Sequence, residues 1–344
     1  MRPRVDEQVV SAVMAEAAEV SGEVLAGTPS LRARKEGERR ACEAEYGAHA
    51  RALGAAVDLR RPAVFREHVR MVLRLHDAAG LPHESVVACL RAVAGRVERM
   101  AVPADLRSWL ARSLEAGLDV VDEHVPDEPV DPWDATAAAL RGNRSAYLAA
   151  VEAWRAARGV RVALLGIAEV QRQVGEAWVR HQATIVEEHR ASALAGLGLA
   201  LLAPDTWGAA GPRGHGQAVL ACAPGEHHVL GLQIASSLLE LEGYAVEVLG
   251  GDTPGVQLAV ACVERRPTLV GVAVAAIDHL AGAREAIEMV RHASPQSCIA
   301  AGGFAARAAG APALGADVLV PERFDGRLPT RGAPEPEEEA DAFR

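Results

Sequence analysis

From residue 217 the chain changes its hydrophobic rhythm, and that change limits the fold more than any other feature. Apolar runs at Ala218–Cys222, Ala245–Leu249, Leu269–Ala275, Cys298–Ala301 and Asp317–Val320 alternate with helical stretches at Val229–Glu242, Val256–Glu264, His279–His292 and Phe304–Ala309. Short apolar runs of this kind suit strands buried on both faces. Their alternation with helices predicts a parallel sheet covered on both sides and joined by right-handed crossovers.

Five strands predict a flavodoxin-like order rather than a six-stranded dinucleotide fold. In such sheets ligands collect beyond the carboxyl ends of the strands. The loop after the first strand is therefore the first place to look. It reads Pro224-Gly225-Glu226-His227-His228-Val229-Leu230-Gly231. Histidine is the commonest metal ligand, and a carboxylate two residues away can hold its second ring nitrogen and fix the tautomer. Gly231 lets the next helix approach a ligand without a side chain between them. Taken alone, the triplet Glu226, His228 and Gly231 also fits a solvated loop histidine.

The rest of the chain is helical in pattern. Residues 1–121 carry apolar side chains at three- and four-residue spacing over Val9–Leu25, Ser30–Ala56, Pro62–Ala79, Glu84–Met100 and Pro103–Val121, an all-helical domain. Residues 122–132 are acidic and hold three prolines, so they read as a linker. Residues 133–202 predict four helices, Asp134–Arg141, Asn143–Arg158, Val160–Arg180 and Gln182–Leu202, joined by short turns as in a helix bundle. Residues 203–216 form a second linker, 217–322 the α/β domain, and 323–344 an acidic tail expected to be disordered.

Composition excludes several function classes. The formal net charge of −10 gives no field that favours nucleic acid or an anionic membrane. The basic segment Arg32–Arg40 also contains Glu36 and Glu38 and reads as a solvated helix face. No apolar stretch reaches the roughly 20 residues of a membrane span, and the N-terminus lacks a signal-peptide core. The five cysteines form no Cys-x-x-Cys pair and read as reduced thiols. A cytoplasmic protein without nucleic-acid or membrane partners is expected.

The distant spacing makes the loop more specific. Forty-one residues separate Gly231 from Ala273, and 26 separate Ala275 from Gly302-Gly303. Here the chain resembles the cobalamin-binding domain of methionine synthase, mutases and cobalamin photoreceptors. That family carries Asp-x-His-x-x-Gly, Ser-x-Leu and Gly-Gly at these separations. The resemblance implies that His228 is the lower axial ligand of cobalt, with Glu226 in place of the usual Asp. It also implies that Ala273, Ala275, Gly302 and Gly303 line a slot for the displaced benzimidazole tail. Ala273 and Ala275 replace the Ser and Leu, so a hydroxyl contact to that tail is missing.

A second constellation precedes the sheet. Trp178 is followed, after nine residues, by Glu188-His189. Such residues also fit core packing beside a solvated ion pair. In this order and position they resemble the cap of CarH-like photoreceptors, whose tryptophan packs on the adenosyl group of adenosylcobalamin. Val179 stands where the best-known members have a second cobalt-binding histidine and cannot ligate; His181 lies two residues on. The CarH-like DNA-binding domain has no counterpart among the motifs of residues 1–121. That layout is most like a photocobilin, which pairs adenosylcobalamin with a bilin beside a globin-like helical domain. The resemblance thus implies biliverdin or another bilin as second chromophore. His68, His76 and His83 offer lining for a tetrapyrrole pocket but equally fit surface or core positions, and no bilin ligand is assigned. It implies a non-enzymatic sensor whose output is a light-dependent change of homo-oligomer. The reading from another class is a corrinoid carrier for methyl transfer, which also pairs a helix bundle with this sheet.

Overall fold

The computed structural model describes residue 24 and residues 36–99, 102–125, 133–206 and 214–328. The chain divides into two compact units, residues 1–129 with 179–181, and residues 130–178 with 182–344. The expected first helix, the start at Ser30, residues 126–132, residues 207–213 and the tail from 329 lie outside the described residues.

The first unit contains α1 (Glu36–Asp58), α2 (Pro62–Ala79), α3 (Glu84–Arg99) and α4 (Ala104–Glu123). Pro62 opens α2, where its missing N–H is no loss, and Gly80 closes it in the left-handed region at φ 61°. Tyr46, Leu53, Phe65, Leu73, Leu90 and Leu110 are fully buried between these helices. Gly117 lets α4 lie against Phe65; a Cβ there would stand 2.8 Å from the ring. The sequence expectation ended α4 at Val121, but the helix runs on to Glu123. His124 leaves helical geometry at φ −67° and ψ 126°, two residues before Pro126, so Asp122 and Glu123 still extend the helix.

The second unit begins with α5 (Asp134–Leu140), α6 (Arg144–Arg158), α7 (Val160–Val179) and α8 (Ile185–Thr206). Asn143 caps α6 through the Ala146 N–H at 3.2 Å. Thr184 and Glu187 form a reciprocal capping box at the start of α8: the Thr184 N–H donates to Glu187 Oε2 at 2.7 Å, and the Glu187 N–H to Thr184 Oγ1 at 3.3 Å. The expected break at residue 203 is not observed. Helix α8 passes through Pro204 to Thr206, because buried Leu199, Leu202 and Thr206 keep its last turns packed.

The sheet follows: β1 (Gln217–Cys222), α9 (Leu230–Leu241), β2 (Ala245–Gly250), α10 (Gly255–Arg265), β3 (Leu269–Ala273), a 3-10 turn (Ile277–His279), α11 (Leu280–Ala293), β4 (Cys298–Gly302), α12 (Phe304–Ala309), α13 (Ala311–Leu314) and β5 (Val318–Leu319). The five strands are parallel in the order β2-β1-β3-β4-β5. This is the flavodoxin-like order expected, and it makes the end of β1 a topological switch point. Ile234 and Leu238 of α9 are buried in one cluster with Tyr147, Val151, Ile167 and Leu202 of the bundle. Each such apolar side chain contributes about 1.5–3 kcal/mol, so bundle and sheet share a core.

The segment after β5 corrects the expected boundary of the disordered tail. Phe324 packs against both the bundle cluster and the sheet cluster. Arg161 of α7 donates to the Asp325 carbonyl and to Glu242 Oε1, the latter at 2.6 Å. One aromatic ring in a low-aromatic, charged stretch outweighed the composition around it.

Candidate functional site

Residues 223–229 leave β1 at the switch point, between the ends of β2 and β3. Gly225, at φ 81°, turns the chain, and its N–H donates to Asp252 Oδ1 at 2.7 Å. The turn sends Glu226 inward, where it is completely buried. Its Oε2 accepts the N–H groups of Ala275 at 2.7 Å and Ala276 at 3.0 Å, just past the end of β3. Its Oε1 accepts the His228 N–H at 3.0 Å and pairs with His228 Nδ1. One carboxylate therefore ties the loop after β1 to the loop after β3. Burial works against its charge. The His228 side chain and the N–H groups of His228, Ala276 and Ala275 outweigh that cost and hold the carboxyl far below the usual carboxylate range.

His228 is the opposite case. Its side chain is 74% exposed although its partner is buried. With Nδ1 engaged by Glu226, Nε2 makes no hydrogen bond among the described residues and faces outward. The Glu226 hydrogen bond raises the pKa of the imidazole, desolvation opposes this, and the charges of Glu226 and Glu188 add to the rise. Glu188, on the first turns of α8, is thus close enough to act on the His228 charge.

The remaining sheet positions gather at the same edge. Ala273 closes β3 in register with Gly302, which closes β4. Ala275 lies beyond the strand and gives its N–H to Glu226. A Cβ on Gly303, at φ 104°, would lie 2.7 Å from the Val274 carbonyl carbon and 3.2 Å from Ala275 N. A Cβ on Gly302 would press on Val320 at 3.2 Å. The pair is required by the chain's own packing at the sheet end, a reason the sequence did not reveal. At Gly231 the opposite holds: a Cβ would meet nothing within 4 Å, so the first turn of α9 borders open space.

The bundle residues stand at the end of α7 and the start of α8. Trp178 is 40% exposed, and Ile185 and Val186 are more so. Val179 is buried. His181 follows in the left-handed region at φ 54°. Glu188 accepts the Ser192 hydroxyl at 2.7 Å and lies 3.6 Å from His189 Nε2, whose side chain is 70% exposed. The structure therefore joins Glu226, His228, Ala273, Ala275, Gly302 and Gly303 at one sheet edge and brings the charge of Glu188 near it.

Two residues of this edge escaped the sequence reading. His279 places Nδ1 3.4 Å from Glu226 Oε2 and packs over Gly225, and Asp252 holds the Gly225 turn. A histidine opening the helix after the third strand was the only sign of the first. The three histidines considered beside a tetrapyrrole pocket fall into two sets. His68 pairs with His49 at 2.9 Å and His76 with Glu45 at 3.0 Å, whereas His83 pairs with Asp77 at 2.7 Å. Helical spacing could not distinguish side chains aimed at a shared cavity from side chains that satisfy one another.

Residues 216–326 match the B12 binding domain family. The chain is 44% identical over 63 residues to the HTH-type transcriptional repressor CarA of Myxococcus xanthus, covering 18% of this chain and 20% of that protein. It is 33% identical over 136 residues to the HTH-type transcriptional repressor CarH of the same organism, covering 39% and 44% respectively. The chain thus spans less than half the length of these curated relatives. Among solved structures it resembles the Methanosarcina barkeri monomethylamine corrinoid protein, with a TM-score of 0.42 and 14% identity over 50% of this chain and 82% of that one. No helix among the described residues is long and apolar enough to cross a membrane. Residues 216–326 thus match a B12-binding domain, in a chain that is similar over part of its length to the CarA and CarH repressors.

Proposed function

We propose that this protein is a light sensor that holds adenosylcobalamin with the cofactor's own base displaced and His228 as lower axial ligand. The observation that carries the reading is the posture of His228. A buried carboxylate engages Nδ1 and leaves Nε2 open to solvent at a switch point. That is the donor arrangement a metal-bound histidine requires, since the outer partner fixes the tautomer and raises basicity. The open space at Gly231 fits a large planar group beside α9.

Glu226 orients His228 and, through Ala275 and Ala276, holds the β3 loop at the same edge. Ala273, Ala275, Gly302 and Gly303 are assigned to the slot for the displaced benzimidazole tail. Trp178, Val179, Glu188 and His189 are assigned to the adenosyl side. Bound adenosylcobalamin supplies a cobalt–carbon bond that green or blue light breaks. Trp178 stands on the last turn of α7, and α7 and α8 share a buried cluster with α9. A change in what covers Trp178 is therefore felt where the bundle meets the sheet, a local packing event with a global readout. The output in this reading is a change of homo-oligomer, with no nucleic-acid partner and no catalysed reaction. Biliverdin or another bilin is assigned to the helical unit as second chromophore, on the domain layout.

The test is the full chain loaded with adenosylcobalamin in darkness, followed by spectra and size-exclusion chromatography before and after green light. The wild type is expected to show a histidine-ligated spectrum and a shift in oligomer size. His228→Ala should bind without that spectrum; an identical spectrum removes the axial assignment. Photolysis with no size change, together with methyl transfer in the presence of a methyltransferase, replaces the sensor with a corrinoid carrier. Absence of a red absorption band after addition of biliverdin removes the second chromophore.

A further inference from the structure

A second candidate centre lies within the helical unit. We propose that Asp77, His83 and His124 bind a divalent transition-metal ion, with zinc as the best fit. Their ligand atoms lie within 4.8 Å of one another. His83 Nε2 sits 2.7 Å from Asp77 Oδ1, and His124 Nε2 sits 2.6 Å from Asp77 Oδ2. The two rings meet edge to face, with centroids 5.1 Å apart. Both imidazoles thus aim the same nitrogen at opposite oxygens of one carboxylate.

The donor chemistry selects the ion. Two imidazoles and one carboxylate suit zinc and its first-row neighbours, whereas calcium and magnesium take oxygen shells. An ion with metal–ligand distances of about 2.0–2.2 Å would take the place of the two direct hydrogen bonds, with small rotations that move the imidazole nitrogens off the Asp77 oxygens. The scaffold is rigid where it matters. Asp77 stands on the last turn of α2, and the Gly80 cap turns the chain so that His83 comes back beside it. His124 is the residue that ends α4, with an extended backbone. Three separate segments therefore supply one ligand each.

Access also favours an ion over a purely structural contact. The His124 side chain is only 6% exposed, while Asp77 and His83 are 25% and 30% exposed. His124 also borders a surface cavity of about 230 Å³, together with Arg70, Arg74, Val120, Glu123 and Val125. An ion held by three protein ligands would keep a coordination position for solvent or a small anion, as open zinc sites do.

The experiment measures Zn²⁺ binding to the full chain after EDTA treatment, by competition with a chromophoric chelator and by thermal unfolding. Wild type is expected to take up one tight equivalent and to unfold at higher temperature with it, since a ligand that binds only the native state stabilises it. His83→Ala and His124→Ala should lose affinity by at least the roughly 10–100-fold that follows loss of a supporting partner. Asp77→Asn keeps the size of the side chain and should lose affinity likewise, which covers the case in which an alanine variant fails to fold. His292→Ala, an exposed histidine on α11, should bind like wild type. Equal Zn²⁺ affinity and equal thermal shift in wild type, His83→Ala and Asp77→Asn would overturn the proposal, as would the absence of tight binding to wild type.

Discussion

Two glutamates in this protein each hold histidines, and they do so with opposite results. In the sheet unit Glu226 is buried and its partner His228 points out, with one ring nitrogen open. In the helical unit Glu45 faces His49 and His76, which are themselves buried, and His49 passes on to His68. Burial pushes the charged form of His68 down, as do the charges of His49 and Arg51, and its pKa falls to about 3. Burial opposes the charge of Glu45, but the His49 and His76 contacts win and bring its pKa to about 2. The same residue types thus make a ligand-ready imidazole in one place and a closed, pH-sensitive network in the other. Exposure of the last histidine in the chain of contacts makes the difference.

The largest effect expected from breaking this contrast is at Glu226. Glu226→Ala leaves the N–H groups of Ala275 and Ala276 without their acceptor and should cost about 2–5 kcal/mol, read by urea unfolding. A loss below 1 kcal/mol would mean that water replaces the carboxylate and that Glu226 does not tie the loops together.

Next comes the acid response of the helical network. His68 has a folded-state pKa depressed from 6.5 to about 3. Its contribution is therefore present above about pH 6.5 and is lost as the pH falls toward 3. Linkage makes the loss about 2 kcal/mol by pH 5. Glu45, depressed from 4.5, adds a further loss only below that value. His76 is raised above 6.5, so its contribution is complete below that pH and fades as the pH rises through the raised value. His68→Leu should flatten the stability profile between pH 6.5 and 5 while leaving the steeper fall below 4.5. An unchanged slope over that interval would show that His68 is not the buried neutral group.

The smallest effect on stability is expected at His228 itself. Its ring is exposed, so His228→Ala should change unfolding by no more than about 0.5 kcal/mol, although it removes the proposed cobalt ligand. A loss of 2 kcal/mol or more would move His228 from the ligand-ready class into the structural one.

Much of the fold was legible because strand and helix periods leave separate marks. The boundaries of α2 and α12 follow the sequence pattern residue for residue, since Pro62 and Gly80 bracket the first and Gly303 and Gly310 the second. The short helix α13 and the 3-10 turn at Ile277–His279 were missed, being too short to show a period. Phe324 and Pro204 ran against local composition because distant residues packed around them. The site divided along the same line. Glu226 and His228 were readable from a two-residue spacing. His279 and the cluster of Asp77, His83 and His124 join residues up to 53 positions apart, and no local pattern announces them.

By itself the sequence determined the sheet, its five strands, the helices around it and the loop that carries His228. These depend on periodicity and on turn chemistry within a few residues. Only the tertiary structure decided that Glu226 is buried while His228 is not, that Gly303 is needed against Val274, and that the histidines of the helical unit fall into two sets. Exposure, close approach and hydrogen-bond partnership are properties of the space between segments. They come into being only when helices and strands far apart in the chain are brought together.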